Sequence, residues 1–186
     1  MTESRKKSLR DIFTAAGALM LIAGLVTAAL AGTNALTTSA IQKRQEEEAN
    51  AARRQVMDAD SFEARTLAWE TDEVTYYVGT KDGATVGYVF TVVTTGKSAG
   101  LTVMTGITSD GAVSGVVVTE NEETAGYVDK VVGDGLLDRL KGQTDVAGIQ
   151  AVDGTSTATK TSDGIKRGVE QAMTYYQAAV RGGAVE

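Results

Sequence analysis

The sequence predicts an α+β protein in which a single N-terminal transmembrane helix is followed by an antiparallel sheet with packed helices. Three patterns indicate this fold class: a long uncharged N-terminal segment, two successive hairpins of β-branched residues, and an amphipathic C-terminal helix. Of the 186 residues, 42% are apolar and 23% are charged, which is typical of a globular domain. We expect a basic N-terminus at 1–11, a transmembrane helix at 12–33, a helical stalk at 34–60 and a globular domain at 61–186.

The N-terminal segment has the features of an uncleaved membrane anchor. Basic residues up to Arg10 precede a stretch from Ile12 to Gln42 that carries no charge. Its most apolar part, Ile12 to Ala31, is long enough to cross about 30 Å of hydrocarbon as a helix. The preceding basic residues predict a single pass through the inner cell membrane, with a cytoplasmic N-terminus and an extracytoplasmic domain. The alternative is a cleaved signal peptide, because Ala29-Leu30-Ala31 resembles a processing site, but the apolar stretch is long for one.

The composition limits what the protein can do. The formal net charge is −6 and the chain has no basic stripe, which argues against a nucleic-acid partner. The chain contains no Cys and no His. This excludes disulfides and thiolate metal sites and removes the commonest general base. A redox role would therefore require an organic cofactor.

The chain after the anchor is expected to form a stalk, two hairpins and several helices. A charged helical pattern at 39–60 predicts a solvated stalk, to which we assign no chemistry. Turn signals at Lys81-Asp82-Gly83 and Ser109-Asp110-Gly111 each separate two runs of β-branched residues. The predicted strands are Val74–Val78, Thr85–Val93, Leu101–Ile107 and Val113–Thr119, and short helices are expected at 124–132 and 135–141.

The last predicted helix, from 163 to about 181, follows a run of small and hydroxylated residues, Asp153–Thr159. Ser162 or Asp163 is the expected N-cap. The apolar face, which should lie on the sheet, consists of Ile165, Val169, Ala172, Tyr176 and Val180. A loop at a helix N-terminus offers N–H groups to an anion such as a phosphate, and its hydroxyls are open to covalent modification. The alternative is a Ser/Thr-rich turn that only caps the helix.

Three segments, in their order and spacing, resemble a known family. They are Gly96–Met104 leading into Gly106-Ile107 and Asp110–Val113, then Glu123-Thr124-Ala125-Gly126-Tyr127-Val128, and finally Asp153-Gly154-Thr155-Ser156-Thr157-Ala158-Thr159. They resemble the FMN-binding domain of the G subunit of the Rnf complex; the C subunit of the sodium-pumping NADH:quinone oxidoreductase carries a similar domain. The family patterns are acidic-Thr-Pro-Gly-Leu-Gly for the second segment and approximately Asp-x-x-Ser/Thr-Gly-Ala-Thr for the third. This chain differs at Ala125, Tyr127 and Val128, and Thr157 stands at the motif glycine.

The resemblance implies that FMN is joined through its phosphate to the hydroxyl of Thr159 by a separate flavin transferase that uses FAD. The small side chains of Ser156, Thr157 and Ala158 would leave that hydroxyl accessible. The implied phosphate ligands are the N–H groups of Lys160, Thr161 and Ser162. The implied flavin-pocket residues are Glu123, Thr124, Gly126 and Tyr127. Tyr127 either stacks on the flavin ring or packs on the sheet.

The implied function is that of a non-autonomous subunit in a ferredoxin:NAD oxidoreductase that moves sodium or protons outward. The subunit would relay electrons through covalent FMN, with other membrane and peripheral subunits as partners, and would hold no metal. One alternative is a self-standing extracytoplasmic flavin carrier. Another is a membrane-anchored binding or sensory module without a cofactor. Glu122 and Glu123 are a further alternative, as a metal-binding pair, but adjacent loop acids are usually solvated.

Overall fold

The computed structural model describes residues 46–98 and 100–181, and before them 16–17, 19–21, 23–27, 30, 32 and 44. The chain divides into two compact units, Met1–Glu47 and Glu48–Glu186. The described residues of the first unit are helical, and its large apolar side chains, such as Leu19 and Met20, are exposed. Within the described parts of the chain, no helix is long and apolar enough to span a membrane. The rest of the predicted anchor at 12–33 and the basic N-terminus at 1–11 lie outside the described residues.

A five-stranded antiparallel sheet with the strand order β1-β2-β3-β4-β5 forms the centre of the second unit. The strands are β1 (Ser61–Trp69), β2 (Asp72–Lys81), β3 (Ala84–Thr94), β4 (Leu101–Thr108) and β5 (Val113–Asn121). Strands β2 to β5 confirm the two predicted hairpins. The sequence does not predict β1 as a separate strand, because this edge strand is largely exposed and its apolar residues do not alternate clearly.

The tight turn between β2 and β3 explains one of the two hairpin signals. Asp82 and Gly83 both have positive φ, 52° and 79°, as a two-residue hairpin turn of the primed type requires. The Asp82 N–H donates to Asp60 Oδ2 at 3.0 Å. This bond ties the turn to the segment that precedes β1.

Helices cover one face of the sheet. They are α2 (Tyr127–Gly133), α3 (Leu136–Arg139), α4 (Val146–Ala151) and α5 (Thr159–Tyr176), the last continued by a π-helical turn, Gln177–Arg181. Helix α5 packs on β3 and β4. Its predicted apolar face is confirmed, because Ile165, Val169, Ala172 and Tyr176 are buried in the main core. The α+β fold class is therefore confirmed for this unit.

The opposite face of the sheet is covered by the end of helix α1 (residues 46–56) and the residues after it. Val56, Met57 and Ala59 are buried against Val89 and Met104. The prediction of a solvated stalk is therefore wrong for these residues. Their backbone can pack on the sheet because glycines in the sheet leave room for it. A Cβ at Gly115 would lie 2.8 Å from the Cα of Val56.

The side chain of Arg53 adds to this contact. Its guanidinium lies 3.4 Å from the centre of the Tyr77 ring and donates to Asn50 Oδ1 at 2.7 Å. Arg53 is only 7% exposed. A residue that the sequence places in a charged, solvated helix thus packs its cation on an aromatic ring of the sheet.

Candidate functional site

A cavity of about 210 Å³ lies at the N-terminal end of α5. It brings together the loop between β3 and β4, the start of α2 and the loop before α5, which are far apart in the sequence. The lining residues are Lys97, Tyr127, Ser156, Thr157, Ala158, Thr159, Lys160 and Thr161. The three segments that carry the family resemblance therefore meet in one place.

Helix α5 begins at Thr159, earlier than the predicted start at 163. Ala158 is the N-cap and makes no side-chain capping hydrogen bond. Ser162 lies inside the first turn, where its N–H donates to the carbonyl of Ala158 at 2.9 Å. The prediction that Ser162 or Asp163 caps the helix is wrong.

The reason is that the Ser162 hydroxyl makes its hydrogen bonds to the loop before α5 and does not cap the helix. It accepts from the Thr155 N–H at 3.0 Å and donates to the Ala158 carbonyl at 3.1 Å. Ser162 is fully buried and does not line the cavity. The N–H groups without a carbonyl partner inside the helix are consequently those of Thr159, Lys160 and Thr161.

The loop before α5 is held by the helices that precede it. Thr155 Oγ1 donates to Asp134 Oδ2 at 2.8 Å, and Arg139 Nη2 donates to the carbonyl of Asp153 at 3.1 Å. Arg139 also pairs with Asp134 at 3.5 Å. The loop conformation is therefore set by contacts with α2, α3 and the first turn of α5.

Thr157 fits this loop without strain at the position where the family pattern has glycine. Within the described residues, Glu70 and Asp82 are the non-glycine residues with positive φ. Thr157 is not one of them, so its backbone does not adopt the left-handed conformation that would favour glycine. Ser156 and Thr157 are exposed, whereas Ala158 is buried.

The Thr159 hydroxyl is exposed at the edge of the cavity. Its hydrogen bond to the carbonyl of Ser156 is long, at 3.4 Å. A contact of that length holds the hydroxyl only weakly. The side chain of Thr159 is thus accessible to a modifying enzyme, as is the neighbouring exposed Lys160.

Glu123 connects the β3–β4 loop with the first turn of α5, and both of these elements contribute to the cavity. Its Oε1 accepts from the Ser98 N–H at 2.9 Å, and its Oε2 accepts from Thr161 Oγ1 at 3.0 Å. The residue is 8% exposed and does not itself line the cavity. Gly96 permits this approach, because a Cβ there would lie 2.5 Å from Glu123 Oε1. With both oxygens engaged by donors, the carboxylate is a structural clamp.

Gly126 and Thr124 shape the start of α2. Gly126 is the N-cap of this helix with φ of 82°, a conformation that favours glycine. The carbonyl of the exposed Thr124 accepts from the Tyr127 N–H at 3.2 Å. These two predicted site residues position Tyr127 but do not line the cavity.

Two lysine ammonium groups lie near the ring of Tyr127. Lys97 Nζ is 4.4 Å from the centre of its ring and donates to its hydroxyl at 3.2 Å, while Lys130 Nζ is 5.4 Å from the ring centre. Tyr127 is half-buried: it packs against the core and also lines the cavity. The sequence does not predict Lys97 as a site residue. The feature that could have indicated it is its position between Gly96 and Gly100 at a hairpin tip.

The donors around the cavity suit an organic phosphate such as that of FMN. The free N–H groups at the start of α5, with Lys160, provide hydrogen bonds and positive charge for an anion. The cavity is smaller than the roughly 300 Å³ at which pockets begin to enclose a drug-sized ligand. A cavity of this size would hold the phosphate and only part of the cofactor.

Comparisons with known proteins agree on this part of the chain. A family model described as FMN-binding domain matches residues 96–174, which include the whole cavity lining. The chain is also similar to the G subunit of the Na(+)-translocating ferredoxin:NAD(+) oxidoreductase complex of Acetobacterium woodii. The two are 30% identical over 86% of this chain and 88% of that protein.

Proposed function

Because this chain belongs to the family of Rnf complex G subunits, we propose that it is a flavin-dependent electron-carrying subunit of such a complex. We propose further that its FMN is attached to Thr159. The observation that carries the proposal is the cavity that places the exposed Thr159 hydroxyl beside free helix N–H groups, two lysines and Tyr127. When bound, FMN supplies reversible uptake and release of electrons. The substrate chemistry, between ferredoxin and NAD, belongs to other subunits.

The residues of the loop have separate roles in attachment. In attachment, Thr159 Oγ1 would form a bond to the flavin-side phosphorus of FAD, while the pyrophosphate bond breaks and AMP leaves. The hydroxyl proton passes to a base on the flavin transferase, since the chain has no His and none of the described residues that line the cavity carries a carboxylate. The N–H groups of Lys160 and Thr161 and the Lys160 ammonium hold the phosphate charge.

We propose that the chain crosses the inner membrane once, with its N-terminus in the cytoplasm and the sheet domain outside. The uncharged stretch at 12–42 behind basic residues supports this topology. The exposed apolar side chains of the described helical residues, among them Leu19 and Leu25, are also of the kind that contacts lipid. Because the stretch has no ionisable residue, the transport of sodium or protons belongs to other subunits.

The attachment site is tested by co-expressing the full chain with a flavin transferase and recording ultraviolet-excited fluorescence on a denaturing gel. We expect a fluorescent wild-type band and a dark band for Thr159→Ala. Thr157→Ala is the matched control, because it removes an exposed hydroxyl from the same loop and should leave the band fluorescent. Fluorescence that survives in Thr159→Ala would move the site to Thr157 or to the buried Thr161. Dark bands throughout, with a transferase active on another substrate, would favour the module without a cofactor.

Membership of a complex is tested separately. Affinity purification of the full chain from its native membrane should recover other membrane subunits together with ferredoxin-dependent NAD reduction. A flavin-bearing chain that purifies alone would instead be the self-standing carrier.

A further inference from the structure

Lys97 and Tyr127 form the part of the cavity wall that lies outside the 156–161 segment. They come from different elements, the β3–β4 loop and the start of α2. The ammonium of Lys97 nonetheless lies 3.2 Å from the Tyr127 hydroxyl and 4.4 Å from its ring centre. A cation and an aromatic ring are thus presented together at the cavity.

Both residues are positioned by neighbouring backbone hydrogen bonds. On the two sides of Lys97, the Gly96 N–H donates to the Ser98 carbonyl at 3.1 Å and the Ser98 N–H donates to Glu123 at 2.9 Å. The Tyr127 N–H donates to the Thr124 carbonyl at 3.2 Å. The backbone that carries Lys97 is therefore anchored, although its side chain is exposed.

Two groups of residues in the cavity lining suit different parts of a flavin. Thr159 and Lys160 belong to the helix N-terminus, where a phosphate is favoured. Among the described residues that line the cavity, Tyr127 is the aromatic one, and an aromatic side chain is the natural contact for a flavin ring. Lys97 lies beside Tyr127, so its charge acts at the ring end of the cofactor.

Resting on the proposed function, we propose that Lys97 sets the reduction potential of the flavin. Reduction places additional negative charge on the flavin ring, and a nearby cation stabilises the reduced form relative to the oxidised one. Lys97 acts as a positioning and electrostatic residue, with Tyr127 holding its ammonium in place.

The test is the midpoint potential of the covalently flavinylated full chain, measured by dye-coupled titration. We expect Lys97→Gln to lower the equilibrium constant for reduction about tenfold, which is about 30 mV for a two-electron couple. Lys97→Arg should remain close to the wild type because it keeps the charge. Lys81→Gln is the matched control, because it removes the same charge far from the cavity. Lys81 lies beside the start of β3, and the 11 residues of β3 span about 35 Å, so this change should leave the potential unchanged.

Each outcome separates this inference from the function on which it rests. A wild-type chain without gel fluorescence overturns both. Fluorescent Lys97→Gln with the wild-type potential overturns only the role of Lys97. If Lys97→Gln takes up no flavin whereas Lys97→Arg does, Lys97 serves attachment and the assignment to the potential is wrong. An equal fall for Lys81→Gln would show a general charge effect and would also contradict it.

Discussion

Thr155 donates a hydrogen bond from its hydroxyl to Asp134 at 2.8 Å, and this bond joins the loop before α5 to the C-terminal end of α2. Thr155 is buried, and its N–H donates to the Ser162 hydroxyl in the first turn of α5. The side chain and the backbone of one residue therefore connect two helices across the loop. The exposed hydroxyl of Thr159 lies four residues after Thr155. This connection therefore fixes the conformation of the loop that lines the cavity.

We predict that Thr155→Val lowers the free energy of unfolding by about 1 kcal/mol, the typical contribution of one hydrogen bond. It should also slow the attachment of flavin to Thr159, because the loop loses its contact with Asp134. Thr155→Ser keeps the hydroxyl and is the matched control. Urea unfolding and the time course of gel fluorescence measure the two effects. Attachment at the wild-type rate in Thr155→Val would show that the transferase orders the loop by itself.

A second prediction concerns the close approach of α1 and the sheet at Gly106. A Cβ at this position would clash with the carbonyl of Val56 and lie 2.5 Å from Ser114 Oγ. The Ser114 hydroxyl donates to that same carbonyl at 2.5 Å, so α1 and the sheet cannot accommodate an added methyl group here without a backbone shift. Gly106→Ala should cost about 2 kcal/mol of stability or more, since overpacking moves the backbone.

Gly133→Ala is the control for this substitution. Gly133 is the last residue of α2, its φ is not positive, and a Cβ there meets nothing within 4 Å. This change should leave stability unchanged or raise it slightly, because alanine favours the helix. Urea unfolding of both full-length variants gives the comparison. Equal stability of Gly106→Ala and the wild type would mean that 52–59 does not pack on the sheet.

The elements that could be located correctly from the sequence are those with strong local signals. Strands β2 to β5 are β-branched runs around glycine turns, and the face of α5 that contains Ile165 and Val169 has helical spacing. Strand β1 lacks such a signal, because one edge and most of its side chains face solvent. The packing of Arg53 on Tyr77 depends on a contact between residues that are distant in the sequence, which local patterning does not report.

The candidate site shows the same division. The order of three motifs indicated which segments contribute, and the cavity brings those segments together. The sequence predicts too late a start for α5, because Ser162 has the residue type of a helix cap. In the structure its hydroxyl accepts from the Thr155 N–H and donates to the Ala158 carbonyl. The sequence does not indicate Lys97 as a site residue, because a lysine at a hairpin tip is normally solvated. Its contact with Tyr127 spans 30 residues of sequence and exists only in the folded chain.

A third prediction tests whether Glu123 clamps the cavity walls. Glu123→Ala removes the acceptor of the Ser98 N–H and of the Thr161 hydroxyl. Both donors then lose this hydrogen bond in a region that is buried or partly buried. We expect a loss of about 2 kcal/mol or more and faster amide hydrogen exchange at Ser98. Glu123→Gln keeps one carbonyl oxygen and should fall between this variant and the wild type. Unchanged exchange at Ser98 in Glu123→Ala would show that the β3–β4 loop holds its conformation without the carboxylate.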